Sequence, residues 1–325
     1  DNASSAYPSE SDLGAAIQKF SKAVVDSNDH VYVLAHADNS TTGCCDNISI
    51  FKMEIGSTSF DDNSTIVTLD NETDPTQILT GIVSTKLFVI YDNGSNAGLF
   101  GAVRHLDNGT NQDSATAGSD VTLAAAVSGG SNPMCGAAGY ISGTSYGLYA
   151  LVDNGTTTDA NGGLNAYLQW DNGTLQASTT GNVPSSDNYT NPIYCDVHAI
   201  TSGTDTTYIV AIVEGGGGTD NLTVMSTTDA DIGTWTRIGE RISLTTGATD
   251  VAVTGSSTTD VWVSIEGGAI DGKVSLYHLE SDGAGTTTFL EVDGDNRVTA
   301  TNVDIAGDKD LGILQTVYQG STYTT

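Results

Sequence analysis

Short apolar runs, each closed by Gly, Asn, Asp or Ser, recur along this chain and give its hydrophobic pattern the rhythm of strands and turns. The clearest stretch lies between Cys135 and Leu175. Apolar or alternating segments near Cys135 to Ile141, Tyr146 to Val152 and Leu164 to Trp170 are separated by residues that accept turn geometry at low cost. Three strands are predicted there, with a fourth after Asp171-Asn172-Gly173.

The same plan recurs in six units that start near Phe20, Thr76, Cys135, Cys195, Thr249 and Thr301, spaced 52 to 60 residues apart. In each, a first strand of small residues, such as Asp196 to Ile200 or Asp250 to Val253, turns into a stronger second strand. The second strands are Val31 to Leu34, Leu87 to Tyr91, Leu148 to Val152, Tyr208 to Val213, Val261 to Ile265 and Ile313 to Tyr318. An acid closes the first five of them: Asp38, Asp92, Asp153, Glu214 and Glu266. Third strands recur at Ile48 to Met53, Leu99 to Leu106, Leu164 to Trp170, Leu222 to Ser226 and Val274 to Leu279. Four Asp-Asn-Gly turns, beginning at Asp92, Asp107, Asp153 and Asp171, mark two equivalent hairpins in adjacent units, because Asn-Gly takes the two positive φ values of a type I′ turn cheaply.

Units of this length, without helical periodicity between their strands, predict an all-β fold, a β-propeller of about six blades. Five units have the makings of four-stranded blades and the sixth is incomplete. A sandwich or a β-solenoid is the competing architecture, but a period near 55 is long for a solenoid coil and six units are many for one sandwich. The repeats occupy residues 20–325 and follow an N-terminal extension, residues 1–19. There Leu13, Ala16, Ile17 and Phe20 fall at helical spacing, so a short helix competes with a strand that completes the last blade. The sixth unit stops after its second strand, near Tyr323-Thr324-Thr325. An unfinished blade leaves an exposed edge, so the chain is expected to continue, to have been cut, or to be completed by a neighbour.

In the fourth unit, Ser226-Thr227-Thr228-Asp229-Ala230-Asp231-Ile232-Gly233-Thr234-Trp235 resembles a degenerate Asp box, the Ser-x-Asp-x-Gly-x-x-Trp turn of sialidase-type propellers, with one residue inserted. That motif is structural in the family, so the resemblance implies fold and supplies no catalytic residue.

Forty acidic residues oppose ten basic ones, a formal charge of −30. This argues against nucleic-acid or anionic-lipid partners, since phosphate binding depends on Lys and Arg. Only eight of the acids are Glu, and an Asp-rich surface suits salty or calcium-containing surroundings that screen its self-repulsion. No run of 18 apolar residues exists, so no membrane insertion is expected. No signal-peptide pattern opens the chain, and Asp1 is compatible with a processed terminus.

Eleven sequons begin at Asn2, Asn39, Asn47, Asn63, Asn71, Asn93, Asn108, Asn154, Asn172, Asn188 and Asn221, taking over half of the 21 Asn. A chain rich in Asn, Ser and Thr produces several by accident, yet many fall on expected hairpin tips, where a glycan can be attached. Glycosylation and an extracellular, cell-surface or virion-surface location follow as expectations. Among the cysteines, Cys135 and Cys195 open equivalent inner strands of consecutive units and could face one another. Cys44 and Cys45 are adjacent; a vicinal disulfide there competes with separate bridges to Cys135 and Cys195 and with free thiols. The spacings match no zinc site.

Catalytic signals are sparse. Gly-x-Ser-x-Gly and His-Glu-x-x-His are absent, and no cofactor is implied. His105 and His278 share one third-strand position, for which repeated packing is the plain reading, and His198 lies on an inner strand. Four arginines, Arg104, Arg237, Arg241 and Arg297, are too scattered to suggest the cluster with which sialidases hold a carboxylate. Asp293, Asp295, Asn296, Asp308 and Asp310 offer hard oxygen ligands that would suit calcium, although solvated turns are the plainer meaning. Trp170, Trp235 and Trp262 read as core packing ahead of a sugar-stacking platform.

The leading expectation is a non-enzymatic structural or adhesive glycoprotein of a cell surface, extracellular filament or virion appendage. Its partners would be its own copies or another surface or virion protein, with glycans as a further class. The alternatives are a secreted carbohydrate-active enzyme with paired acids in a channel and a lectin-like propeller that binds glycans through an exposed Trp.

Overall fold

The computed structural model describes residues 16–38, 47–56, 65–68, 77–92, 99–106, 121–124, 134–142, 145–152, 164–171, 174–182, 192–215, 220–228, 235–244, 247–266, 274–281, 287–291, 303–308 and 313–318. All 24 described elements are β-strands, arranged in six sheets that follow one another along the chain.

The first sheet contains β1 (Ala16–Phe20), β2 (Val24–Val25), β3 (His30–Asp38), β4 (Asn47–Glu54) and β5 (Thr65–Thr68), in the order β1-β3-β4-β5 with β2 also on β3. The second is β6 (Ile78–Val83), β7 (Lys86–Asp92), β8 (Leu99–His105) and β9 (Val121–Ala124). The third is β10 (Met134–Ser142), β11 (Ser145–Val152), β12 (Leu164–Asp171) and β13 (Thr174–Asn182). The fourth runs β14 (Pro192–Ser202), β15 (Asp205–Glu214), β16 (Asn221–Thr228) and β17 (Thr236–Arg237), with β18 (Ile242–Ser243) also on β16. The fifth is β19 (Asp250–Ser257), β20 (Asp260–Glu266), β21 (Val274–Ser281) and β22 (Thr287–Glu291), and the sixth pairs β23 (Val303–Asp308) with β24 (Ile313–Tyr318). Each sheet is thus a meander whose spatial order is its chain order, as the repeated hairpin signals require.

The N-terminal reading needs correction. Residues 16–20 form neither a helix nor a strand of the last blade, because β1 pairs antiparallel with β3 of the first sheet. A bulge between Ile17 and Lys19 explains the misleading spacing. Ile17 lies opposite Ala37 and Phe20 opposite Ala35, so a three-residue step in β1 spans a two-residue step in β3.

The chain forms two compact units, one of residues 1–131, 138–150 and 166–179, the other of 132–137, 151–165 and 180–325. In the first, Tyr32, Leu34, Ile48 and Ile50 pack with Ile78, Leu87, Val89 and Tyr91 of the second sheet. Inner strands approach closely there, since a Cβ on Gly81 would stand 2.5 Å from that of Ala138. In the second unit, Ile209, Ala211, Val213, Leu222 and Val224 pack against Val251, Val253, Val261, Val263 and Ile265. The second strands β7 and β15 are buried on both faces, and this turns the expected alternation into continuous runs such as that from Tyr208 to Val213.

Inner strands carry open edges that the sequence caps. β19 ends its sheet, and its Val253 N–H donates 2.8 Å to Oδ2 of the buried Asp196 on β14. A disulfide between Cys135 and Cys195, with Cα atoms 5.7 Å apart, ties β10 to β14. That bond realises the expected facing of the two inner strands and rules out bridges from Cys44 or Cys45 to either partner. Cys44 and Cys45 themselves lie outside the described residues.

Candidate functional site

The hairpin from β19 to β20 gathers the chemistry. Ser257 lies opposite Asp260 across a tight turn, and a bulge between Gly255 and Ser257 inserts Ser256 as the extra residue. Gly255 is required at this bulge, because a Cβ there would meet the Asp260 carbonyl oxygen at 2.7 Å. The bulge turns Ser256 so that its Oγ donates 2.5 Å to Asp260 Oδ2. Thr259 N–H bonds Ser257 Oγ at 3.2 Å and closes the turn.

Register then brings in the next strand. Trp262 lies opposite His278, and the two rings stack with centroids 3.9 Å apart and planes 18° from parallel. His278 Nε2 is 3.1 Å from Asp260 Oδ1. The Ser256 hydroxyl holds the Asp260 carboxyl below its ordinary value; partial burial opposes this, while hydrogen bonds from His278 and Trp262 and the His278 charge assist it. Asp260 keeps 44% of its side chain exposed and His278 keeps 24%. An ionised carboxylate, an imidazole and a partly exposed indole therefore share one hairpin end. In this group Asp260 lies between Ser256 and His278. A hydrolase triad requires the histidine between serine and acid, so the arrangement activates no nucleophile.

A related group in the first sheet shows the closed version. Asp26 Oδ1 accepts Asn28 N–H at 2.8 Å and His30 N–H at 2.9 Å, while Oδ2 accepts the Tyr32 hydroxyl at 3.0 Å and lies 3.1 Å from His30 Nδ1. Four donors fill the four acceptor directions of a carboxylate. The Asp26 side chain is only 5% exposed, and Tyr32 is core. Burial raises the Asp26 carboxyl, but the hydrogen bonds outweigh it and hold it low. Asp26 thus fastens a turn, whereas Asp260 retains acceptor capacity toward solvent.

The remaining candidates separate clearly. Glu214, which closes β15, is buried, takes the Thr223 hydroxyl at 3.0 Å and pairs with Arg241 at 2.6 Å. Arg237 is exposed on β17, the Arg104 side chain is not among those described, and Arg297 lies outside the described residues. His198 lies on β14 opposite Ile209, His105 on β8 opposite Lys86. Of the Asp-box stretch, residues 229–234 lie outside the described residues, while Trp235 is buried among the core. Asp308 ends β23; Asp293, Asp295, Asn296 and Asp310 lie outside the described residues. Among the described residues no group of three or more His, Cys, Asp or Glu could hold a metal ion. Asn47 and Asn221 open β4 and β16, and the asparagines of the other nine sequons lie outside the described residues.

Of the three tryptophans expected in the core, Trp235 is buried there, the Trp170 side chain is not among those described, and Trp262 is partly exposed. Its partial exposure follows from its position two residues into β20, beside the hairpin. The residue types of the site were visible in sequence, but Asp260 and His278 are 18 apart, and only strand register joins them.

No family model and no curated protein matches the chain. Solved structures do. The Trypanosoma rangeli sialidase in complex with the inhibitor DANA superposes with a TM-score of 0.51 at 10% identity, over 94% of this chain and 53% of that one. The fold is a β-propeller. Five of its blade sheets have four or more strands, and the sixth has two among the described residues. Other matches include the six-bladed fungal lectin from Aleuria aurantia, at TM-score 0.45, 12% identity and 93% and 88% coverage of the two chains. A Penicillium chrysogenum α-L-arabinanase complexed with arabinobiose gives 0.41, 16%, 73% and 67%.

Proposed function

We propose that this propeller is an extracellular glycan-binding protein that holds its ligand by contact and does not cleave it. One observation carries the reading: the partly exposed Trp262, backed by His278 and flanked by the Asp260 carboxylate. A flat aromatic surface beside a hydrogen-bond acceptor suits a sugar ring, which presents an apolar C–H face and a rim of hydroxyls. Hydrolysis would call for a carboxylic acid kept protonated to donate to the leaving oxygen. Asp260 is held toward the ionised form, so it does not supply that acid at this site.

The test is retention on a panel of immobilised glycans. Wild-type chain should bind a subset, and Trp262→Ala should lower that binding at least tenfold while leaving far-UV circular dichroism unchanged. Undiminished binding by a folded Trp262→Ala variant overturns the assignment of the site.

A further inference from the structure

Resting on that glycan-binding reading, we infer that Asp260 sets the charge specificity of the site, admitting uncharged or amino-bearing sugars and rejecting acidic ones. The geometry supplies the argument. Asp260 Oδ2 takes the Ser256 hydroxyl and Oδ1 faces His278 Nε2. A carboxylate offers about four acceptor directions, and with 44% of the side chain exposed acceptor capacity remains for a ligand. A sugar hydroxyl or ammonium can donate into it. A ligand carboxylate or sulfate has no proton to give and meets a like charge at contact distance.

Among the described residues, neighbouring cations do not reverse this preference. His278 Nε2 is committed to the Asp260 carboxylate, and its ring face is spent on Trp262. Arg241 is held by Glu214 on the fourth sheet. The formal charge of −30 adds a long-range field of the same sign, which slows the approach of anions. Because His278 covers one indole face, a ligand would meet what His278 leaves open of Trp262, which lies two residues from Asp260 on the same strand. The same side chain that positions a neutral ring therefore repels an acidic one.

The experiment is a glycan array of matched pairs, in which a neutral oligosaccharide is printed beside its sialylated, glucuronylated or sulfated counterpart, read with wild-type chain and with Asp260→Asn. Wild type should bind the neutral member of each recognised pair at least tenfold better, and Asp260→Asn should shrink that gap to about twofold. Raising sodium chloride from 20 to 500 mM should narrow the wild-type gap as well, a readout that needs no variant. Equal or stronger binding of the acidic members, or a gap that survives both Asp260→Asn and high salt, overturns the specificity role while leaving glycan binding standing. Absence of wild-type binding across neutral, amino-bearing and acidic glycans refutes the glycan-binding reading itself, and the inference with it.

Discussion

Two aspartates of similar surroundings do different work because their donors differ in number. Asp26 has four hydrogen bonds and no capacity left, so its contribution is to folding. Its folded-state pKa lies below the ordinary 3.8. The stabilisation it gives is therefore complete above that value and is lost as pH falls through the folded pKa. Asp26→Asn should destabilise the chain by about 1–3 kcal/mol at pH 7, and the difference from wild type should fade in acid melts toward pH 2. A deficit independent of pH would show that charge is not what Asp26 contributes. Ser256→Ala removes the largest influence holding Asp260 low, so the Asp260 carboxyl should titrate at higher pH in that variant, as followed by carboxyl-carbon NMR.

At the scale of elements, inner strands are where the fold is most constrained. The Cys135–Cys195 bond closes a loop of 60 residues between β10 and β14. Loop-closure entropy puts its removal at about 4 kcal/mol. Cys135→Ser with Cys195→Ser should lower the denaturation midpoint accordingly, and reductant should do the same to wild type alone. Gly81→Ala should cost about 1–3 kcal/mol, because the added methyl enters space held by Ala138 and Leu148. A neutral Gly81→Ala in chemical denaturation would mean that β6 and β10 can separate freely. The Asp196 cap on β19 follows the same logic: an open strand edge presents unpaired amides, and a carboxylate from β14 takes one of them.

For the molecule as a whole, charge is the dominant global property. Thirty excess negative charges repel one another in the folded chain more than in the expanded one. Thermal midpoints should rise between 10 mM and 1 M sodium chloride, with most of the gain below about 0.2 M, where the screening length falls under 10 Å. A flat profile would place the acids too far apart to interact. Among the described residues no helix is long and apolar enough to cross a membrane.

Much of this architecture was written in the chain's local pattern. Alternation, Asp-Asn-Gly turns and the repeated two-strand motif mark where strands begin and end, since these depend only on neighbouring residues; the second and third strands fall on the expected segments, whereas β1 begins within the stretch expected to be an N-terminal extension. Where a bulge intervened, as between Ile17 and Lys19, the local pattern misled, because an extra residue imitates helical spacing. Tertiary structure alone decided the pairing of Cys135 with Cys195, the capping of Val253 by Asp196, and the meeting of Asp260 with His278 and Trp262. These contacts join residues on different strands or sheets. Their existence depends on register and on the stacking of neighbouring sheets, quantities that residue order fixes only through the folded chain.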